Sequence, residues 1–309
     1  MKSLSDILTE CLDHKRCLNY SKQTLKTTKS RANTFLRFLE SKFNVSTPDT
    51  LKPDHLRQYQ KHLPTMKGKT GLPLRPGSIN GLIIAVHILL DYMLEFCYIA
   101  LAMKKYLEPV KEDKLLPTSV LTHDQVKKLI NAIDISSAEG IRNRAIVELM
   151  YSSGIRGGEL VTMKLETVDL KAGVARVLGK GRKERIVPIG KTAVRYLKNY
   201  ISGIRPFVKN CNSIDEVFLT NRGTSLKLRS LQTMITLLNE SIHLDVRVTP
   251  HTLRRSCATE LIRGNANMYH VKEILGHESI ETLKNYAKLT ILDLKRTHNK
   301  CHPRDRLTL

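Results

Sequence analysis

The strongest constraint on the fold of this chain is a charged, proline-punctuated segment that interrupts its apolar patterns. The segment KKYLEPVKEDKLLPT, residues 104–118, contains Pro109 and Pro117, and such a composition is typical of a connection between domains. A chain of 309 residues is long enough to bury two cores. We therefore predict an N-terminal domain, a linker, a second domain and a C-terminal tail, at residues 1–107, 108–118, 119–290 and 291–309.

The N-terminal domain is predicted to be helical. The stretch SKQTLKTTKSRANTFLRFLESKF carries Leu25, Ala32 and Phe35 at helical spacing, basic residues on the opposite face, and Ser21 in position to cap the helix. The stretch DTLKPDHLRQYQKHL predicts a second helix, and residues 78–103 predict one or two more.

The apolar stretch 81–103 comes nearest to the length of a membrane span. His87, Asp91 and Glu95 interrupt it at helical spacing, so we interpret it as a buried helix and expect no membrane association. The opening residues lack the apolar region of a signal peptide.

The second domain has a mixed pattern. LTHDQVKKLINAI and GIRNRAIVELMYSSG indicate helices, GVARVLG and ERIVPIG alternate like two short strands joined by the turn KGRK, and residues 226–290 return to a helical pattern. The predicted fold class is therefore mainly α with a small β-sheet (α+β).

The charge of the chain points to nucleic acid as its partner. Lys and Arg number 51 against 29 Asp and Glu, a formal net charge of +22. The excess is +8 over residues 1–108 and +14 over residues 109–309, so both halves would face a polyanion. The six cysteines are scattered and form no zinc-binding pattern, which indicates reduced thiols in a cytoplasm and predicts neither a metal nor another cofactor.

Two short boxes in the second domain carry groups that could act on a phosphate. In SSGIRGGEL, Arg156 precedes Glu159 by one helical turn. In VLGKGRKERIVPIG, Lys180 lies between two glycines at the tip of the predicted hairpin. Taken alone, each is more simply a solvated cation or a basic turn, and the second lacks the spacing of a phosphate-binding P-loop.

Two further boxes lie near helix ends. In TPHTLRRSCATELI, Thr249 and Pro250 predict a helix start that places His251 and Arg254 on one face. In LGHESIETLKNY, a helix-ending glycine would fix His277, and Tyr286 would lie two turns along the next helix. For the first of these boxes alone, a His and an Arg on a solvated face is an equally good interpretation. For the second alone, a surface turn followed by an amphipathic helix is the simpler one.

Together the four boxes contain the groups that transfer of a phosphodiester requires. The arginines can stabilise the non-bridging oxygens, the phenol can attack phosphorus, the lysine can protonate the leaving oxygen, and the histidines can hold the phosphate and manage the phenol proton. These cations make a metal unnecessary. The proposed catalytic set is Arg156, Lys180, His251, Arg254, His277 and Tyr286.

This order of motifs resembles the tyrosine recombinase family, also called phage-type integrases, in compact two-domain members similar to the Xer recombinases. SGIRGGELVTMKLETVDL, GKGRKERIVPIG, TPHTLRRSCAT and EILGHESIETLKNYAKL are similar to its catalytic boxes, and the N-terminal helices are similar to its core-binding domain. Two departures stand out. Arg255 replaces a histidine that many members have, and Gly157 and Gly158 weaken the helix start after Arg156.

The resemblance implies an enzyme that cuts and rejoins DNA through a 3′-phosphotyrosine at Tyr286, with Glu159 in a supporting role. It implies that the two domains close round duplex DNA as a C-shaped clamp, and that four protomers, monomeric or weakly associated off DNA, assemble on two inverted-repeat sites. The tail would dock on a neighbouring protomer. We also expect Arg182, Lys183 and Arg255 to contact DNA, and the protein to be cytoplasmic and associated with the nucleoid.

Two alternatives remain open at this stage. One is a DNA-binding protein that keeps the fold and no longer cuts, and the other is a type IB topoisomerase, which relaxes DNA by the same chemistry without exchanging strands. The intact six-residue set argues against the first, and the compact helical N-terminal domain with the LGH box argues against the second. The sequence alone does not identify the target DNA or distinguish integration, excision, inversion and dimer resolution.

Overall fold

The computed structural model describes residues 2–68, 70–100, 102–111, 120–179 and 184–276. The chain divides into two compact units, Met1–Lys114 and Leu115–Leu309. Each unit has its own hydrophobic core.

The described part of the first unit is built from four α-helices. Ser3 caps the first helix and Ser21 caps the second through their hydroxyl groups, as the sequence predicts for Ser21. The apolar faces of the helices pack into one core around Phe35, Leu56 and Tyr59. The helices are α1 (Leu4–Cys17), α2 (Lys22–Phe43), α3 (Pro53–His62) and α4 (Pro76–Glu95).

Helix α4 is long and apolar enough to cross a membrane by length and composition, and among the described residues it is the one helix of this kind. Its side chains nevertheless form the centre of the first core, with Ile83, Val86 and Met93 fully enclosed. The interpretation of the stretch 81–103 as a buried helix is therefore confirmed for residues 81–95, where α4 ends.

The chain that leaves the first unit is fastened to α4. The His87 ring lies 2.7 Å from the Leu107 carbonyl, and the Asn80 amide exchanges two hydrogen bonds with the backbone of Val110. Residues 107–110 are therefore held against the helical core by side chains of α4.

The described part of the second unit contains seven helices and a small sheet. Its helices are α5 (His123–Asn131), α6 (Ala138–Ser153), α7 (Gly157–Val161), α8 (Lys191–Gly203), α9 (Leu228–Ser241), α10 (Pro250–Arg263) and α11 (Met268–Leu275). Its strands are β1 (Val168–Asp169), β2 (Val174–Leu178) and β3 (Glu184–Pro188).

The strands form an antiparallel sheet in the order β1-β2-β3. Ala175 pairs with Val187 and Val177 pairs with Arg185, so these side chains lie on the same face of the sheet. It is the core face, because Ala175, Val177 and Val187 are buried. Helix α6 packs against α8 and α10, α7 packs against α9 and β2, and β3 contacts α11. The start of α7, the strand β3 and the end of α11 are thereby brought together.

The predicted fold class, mainly α with a small β-sheet, is confirmed. Three elements were not predicted. Helices α1 and α8 were missed although each carries apolar residues at helical spacing, and the strand β1 has only two residues, too few for an alternation to show. One or two helices were predicted over residues 78–103, and the described residues there contain one, α4. It ends at Glu95, and the next described element is a short 3₁₀ segment at Lys104–Tyr106.

Candidate active site

Arg156 is placed by a sharp join between two helices. Helix α6 ends at Gly154, whose φ of 61° is a left-handed conformation that glycine adopts without a steric penalty. Arg156 then caps α7. The backbone N–H of Arg156 donates to Oε2 of Glu159 (2.9 Å), and its guanidinium donates to Oε1 of the same residue (2.8 Å). One carboxylate therefore fixes both the backbone and the side chain of Arg156.

Glu159 is an ionised group inside the protein. Its side chain is only 4% exposed, and it also receives two hydrogen bonds from Arg185, at 2.7 and 2.8 Å. Burial alone would raise the pKa of Glu159, but the hydrogen bonds from Arg185 and Arg156 outweigh it and hold that pKa below its usual value. The carboxylate therefore remains charged and keeps both guanidinium groups in place.

The two glycines after Arg156 differ in their surroundings. A Cβ atom on Gly157 would lie 3.0 Å from Leu228 and 3.1 Å from Pro250, whereas one on Gly158 would meet nothing within 4 Å. The first glycine thus allows α7 to approach α9 and α10 closely, and only the second is open to a larger residue.

Arg254 and His251 lie on the first turns of α10, as their spacing predicts. Thr249 caps this helix through its hydroxyl group, and Pro250 occupies the first helical position. Arg254 is buried, and its guanidinium donates to the Gly154 carbonyl (2.6 Å). It therefore ties the start of α10 to the turn that precedes Arg156.

Three guanidinium groups meet at the end of α11. Arg185 donates to the Ile274 carbonyl (3.0 Å), Arg156 donates to the Gly276 carbonyl (2.7 Å), and Arg254 donates to the Leu275 carbonyl between them. The carboxyl-terminal end of a helix carries partial negative charge and unpaired carbonyls, which suits cations. Residues more than a hundred positions apart are thereby gathered beside the residue that precedes His277.

His251 lies within the field of these arginines. Its ring reaches the surface, yet its surroundings are packed closely enough that desolvation lowers the pKa of His251. The positive charges of Arg254, Arg255 and Arg156 lower this pKa further. The imidazole is therefore neutral at neutral pH, and it can accept a proton or a hydrogen bond there.

The described residues contain some of the sequence-predicted set. Arg156, His251 and Arg254 come together as described, Glu159 supports the first of them, and Arg255 is half-buried on α10. The others lie outside the described residues: Lys180, Arg182, Lys183, His277 and Tyr286.

Arg185 was missed by the sequence reasoning. It occupies an inward position of β3, two residues before the buried Val187. A charged residue at an inward position of an alternating strand signals a buried polar partner, and that signal was present in the sequence.

Within the ranges that the structure describes, no group of three or more His, Cys, Asp or Glu side chains is arranged to hold a metal ion. A groove of about 680 Å³ lies between the end of α5, the start of α6 and one face of α9, and none of Arg156, Arg185 and Arg254 lines it. Its apolar lining includes Ile133, Met234 and Leu237.

Known proteins resemble this chain over most of its length. Residues 119–291 match the phage integrase family. The tyrosine recombinase XerD of Listeria innocua serovar 6a is 30% identical over 285 residues, which cover 92% of this chain and 94% of that protein.

Solved structures give the same result. The crystal structure of XerA recombinase covers 97% of this chain and 99% of its own, at 27% identity and a TM-score of 0.54. The XerH site-specific recombinase bound to its palindromic difH substrate covers 96% of this chain and 84% of its own, at 21% identity and a TM-score of 0.73. The last likeness concerns the fold alone.

Proposed function

Because this chain belongs to the phage integrase family of tyrosine recombinases, we propose that its predicted catalytic residues form one site around a phosphate of duplex DNA. The chain is a tyrosine-type site-specific recombinase. The observation that carries the proposal is the convergence of Arg156 and Arg254 on consecutive carbonyls at the end of α11, directly before His277.

The proposed reaction is a transesterification. The phenol oxygen of Tyr286 attacks phosphorus, the bond from phosphorus to the 5′ oxygen breaks, and Lys180 protonates that oxygen as it leaves. The phenol proton passes to a base in the site. The resulting 3′-phosphotyrosine conserves the energy of the diester, so attack by a 5′ hydroxyl of a partner strand reseals the DNA and releases the tyrosine.

The arginines would stabilise the charge on the non-bridging oxygens. The side chain of Arg156 is 30% exposed, and its bonds to Glu159 and Gly276 engage two of the five N–H groups that an arginine carries. Arg254 lies deeper and donates to the carbonyls of Gly154 and Leu275. A phosphate at the exposed edge of Arg156 would therefore meet a cation that is already oriented.

His251 and His277 would complete the site. A neutral His251 can accept the proton that Tyr286 loses, and the negative phosphate would then favour the imidazolium that forms. Glu159 does not touch the DNA in this proposal, since all its oxygens already accept hydrogen bonds from Arg156 and Arg185.

DNA binding by the first unit is supported by its charge. Lys22, Lys26 and Lys29 of α2 are exposed at helical spacing on the side opposite its buried apolar face. We assign this unit as the core-binding domain and the second as the catalytic domain, with Arg182, Lys183 and Arg255 as further phosphate contacts. Binding to DNA should then weaken steeply as salt rises, because each neutralised phosphate releases counterions.

Recombination would require four protomers on two inverted-repeat sites, with the tail 291–309 docked on a neighbouring protomer. The groove lined by Ile133, Met234 and Leu237 is the candidate acceptor, because Leu237 is 59% exposed and the tail carries Ile291, Leu292 and other apolar residues. We expect the protein to act at the nucleoid in the cytoplasm.

Leu237→Glu and truncation after residue 290 should each abolish cooperative assembly on paired sites, while single-site binding is retained. The double variant should be no worse than either change alone, because both remove the same contact. Cooperative assembly by either variant would refute the docking proposal.

The central experiment captures the covalent intermediate. A duplex selected by the protein from a random library is nicked next to the cleavage position, so that the short product diffuses away and the adduct accumulates. Wild-type protein should give a protein–DNA adduct that Tyr286→Phe abolishes. Tyr269→Phe, which alters an exposed tyrosine on α11, should leave the adduct unchanged and controls for loss of a phenol elsewhere.

Three outcomes would contradict the proposal. Specific binding without any adduct would indicate the silent DNA-binding protein, and an adduct that survives Tyr286→Phe would exclude this nucleophile. Relaxation of any plasmid without a recombinant product would indicate the topoisomerase activity instead.

A further inference from the structure

We propose that Arg185 is a positioning residue for the phosphate clamp, acting through Glu159 to hold Arg156; the inference rests on the proposed function of Arg156. Arg185 lies on β3, far from Arg156 in sequence, and its side chain is 12% exposed. Burying a guanidinium is unfavourable unless its donors are satisfied. The groups that accept hydrogen bonds from Arg185 therefore indicate its role.

The three described hydrogen bonds of Arg185 go to two partners, and both partners belong to the site. Its two Nη atoms bind separate oxygens of Glu159, at 2.7 and 2.8 Å, in a bidentate ion pair. Its Nε donates to the Ile274 carbonyl at 3.0 Å. Arg185 thus joins the sheet, α7 and the end of α11 through one planar group.

The bidentate contact fixes the plane of the Glu159 carboxylate. With Arg185 in place, each oxygen of Glu159 accepts one bond from Arg185 and one from Arg156. Without it, the carboxylate could rotate about its terminal bond and still contact one donor of Arg156. The orientation of Arg156 is therefore determined by two residues, and α7, only five residues long and opening with two glycines, supplies little rigidity of its own.

A glycine makes room for this arrangement. A Cβ atom on Gly276 would lie 2.9 to 3.0 Å from the Cδ, Nε and Nη1 atoms of Arg185. The side chain of Arg185 therefore crosses directly over the backbone that leads to His277. The same residue holds both the carboxylate beneath Arg156 and the turn at the end of α11.

The test compares Arg185→Gln and Arg185→Lys with Arg176→Gln, using the nicked substrate. Arg176 is an exposed arginine of β2 on the same sheet, so its loss controls for the change in net charge. Arg185→Gln should slow adduct formation about 10²-fold, since displacing a catalytic group by about an ångström has effects of that size. Arg185→Lys keeps the charge and should fold normally, but it cannot hold both oxygens and should also be slow.

A second substrate separates positioning from general structural damage. In a methylphosphonate, a methyl group replaces one non-bridging oxygen and the negative charge is absent, so an arginine clamp contributes less to the transition state. The defect of both Arg185 variants should shrink on this substrate to about tenfold or less, if the lost effect is electrostatic positioning of Arg156. Their far-UV circular dichroism and duplex binding should match those of Arg176→Gln.

Equal losses on the two substrates, or rates equal to those of Arg176→Gln, would overturn the inference. Tyr286→Phe is run in parallel. If that variant still forms the adduct, the proposed function fails; if it is inactive while the Arg185 variants behave like the control, only the role of Arg185 fails.

Discussion

The carboxylate of Glu159 offers the sharpest test of how the site is held together. It is 4% exposed, and its four hydrogen bonds are divided evenly, with two donors on each oxygen. In Glu159→Gln, an amide group replaces one oxygen. Whichever way the amide turns, its NH₂ group faces one N–H donor of Arg156 and one of Arg185, with which it cannot form hydrogen bonds. Both arginines also lose the negative charge that faces them.

The expected loss of stability follows from those contacts. Hydrogen bonds to charged groups contribute about 1.5–3 kcal/mol each, and breaking one side of a buried ion pair costs about 3–5 kcal/mol. We expect Glu159→Gln to lower the free energy of unfolding by about 3–5 kcal/mol. The control is Glu148→Gln, since Glu148 is similarly buried but accepts a single hydrogen bond from Arg144; its expected loss is about 1.5–3 kcal/mol.

Urea-induced unfolding followed by far-UV circular dichroism measures both losses, because the chain has no tryptophan for fluorescence. The pH dependence adds a second criterion. The folded-state pKa of Glu159 is lowered, so its contribution is complete above the ordinary value of 4.5 and decreases as pH falls through the lower folded value. The gap between wild type and Glu159→Gln should therefore narrow in acid. Equal losses for the two variants, or a gap that widens in acid, would refute the reasoning.

Three further outcomes are expected. Gly157→Ala should destabilise the protein by about 1–3 kcal/mol through overpacking, whereas Gly158→Ala, in open space, should stabilise it by about 0.5–1 kcal/mol, as urea unfolding would show. The pKa of His251 is lowered in the free protein, and a nearby phosphate would raise it, so below about pH 6.5 the imidazole should bind a proton together with the duplex. Duplex affinity measured by fluorescence anisotropy should therefore rise in this acidic range, by at most about tenfold per pH unit, and less in a His251→Gln variant. Burial raises the pKa of Cys257 to about 11, so a maleimide at mildly alkaline pH should label the exposed Cys17 and Cys97 before Cys257, as mass spectrometry would detect.

Features set by local rules were predictable from the sequence. Ser21 and Thr249 cap their helices through side-chain hydroxyls, and Gly276 ends α11 at a φ of 61°, because capping and left-handed turns depend on residues close in sequence. The antiparallel pairing of β2 with β3 was predictable from the alternation of apolar and polar residues along both strands. The placement of His251 and Arg254 followed from the same helix-start rules.

Features set by distant contacts were not predictable in the same way. Sequence reasoning suggested that Gly157 and Gly158 would hold Arg156 loosely, yet the structure fixes Arg156 through a buried carboxylate and lets α7 pack closely at the first glycine. A propensity scale describes the backbone of an isolated helix. It contains no information about a partner from another element, such as Arg185 of β3, which binds Glu159.

The arrangement also explains why so many cations can lie together before any DNA is bound. Arg156, Arg185 and Arg254 repel one another, but Glu159 neutralises two of them in part, and the carbonyls at the end of α11 accept a hydrogen bond from each. The compensation is made by fixed groups, so the guanidinium groups need little rearrangement to meet a phosphate. The helix end and the buried carboxylate thus orient the guanidinium groups before a phosphate binds, while Arg156 remains accessible to solvent.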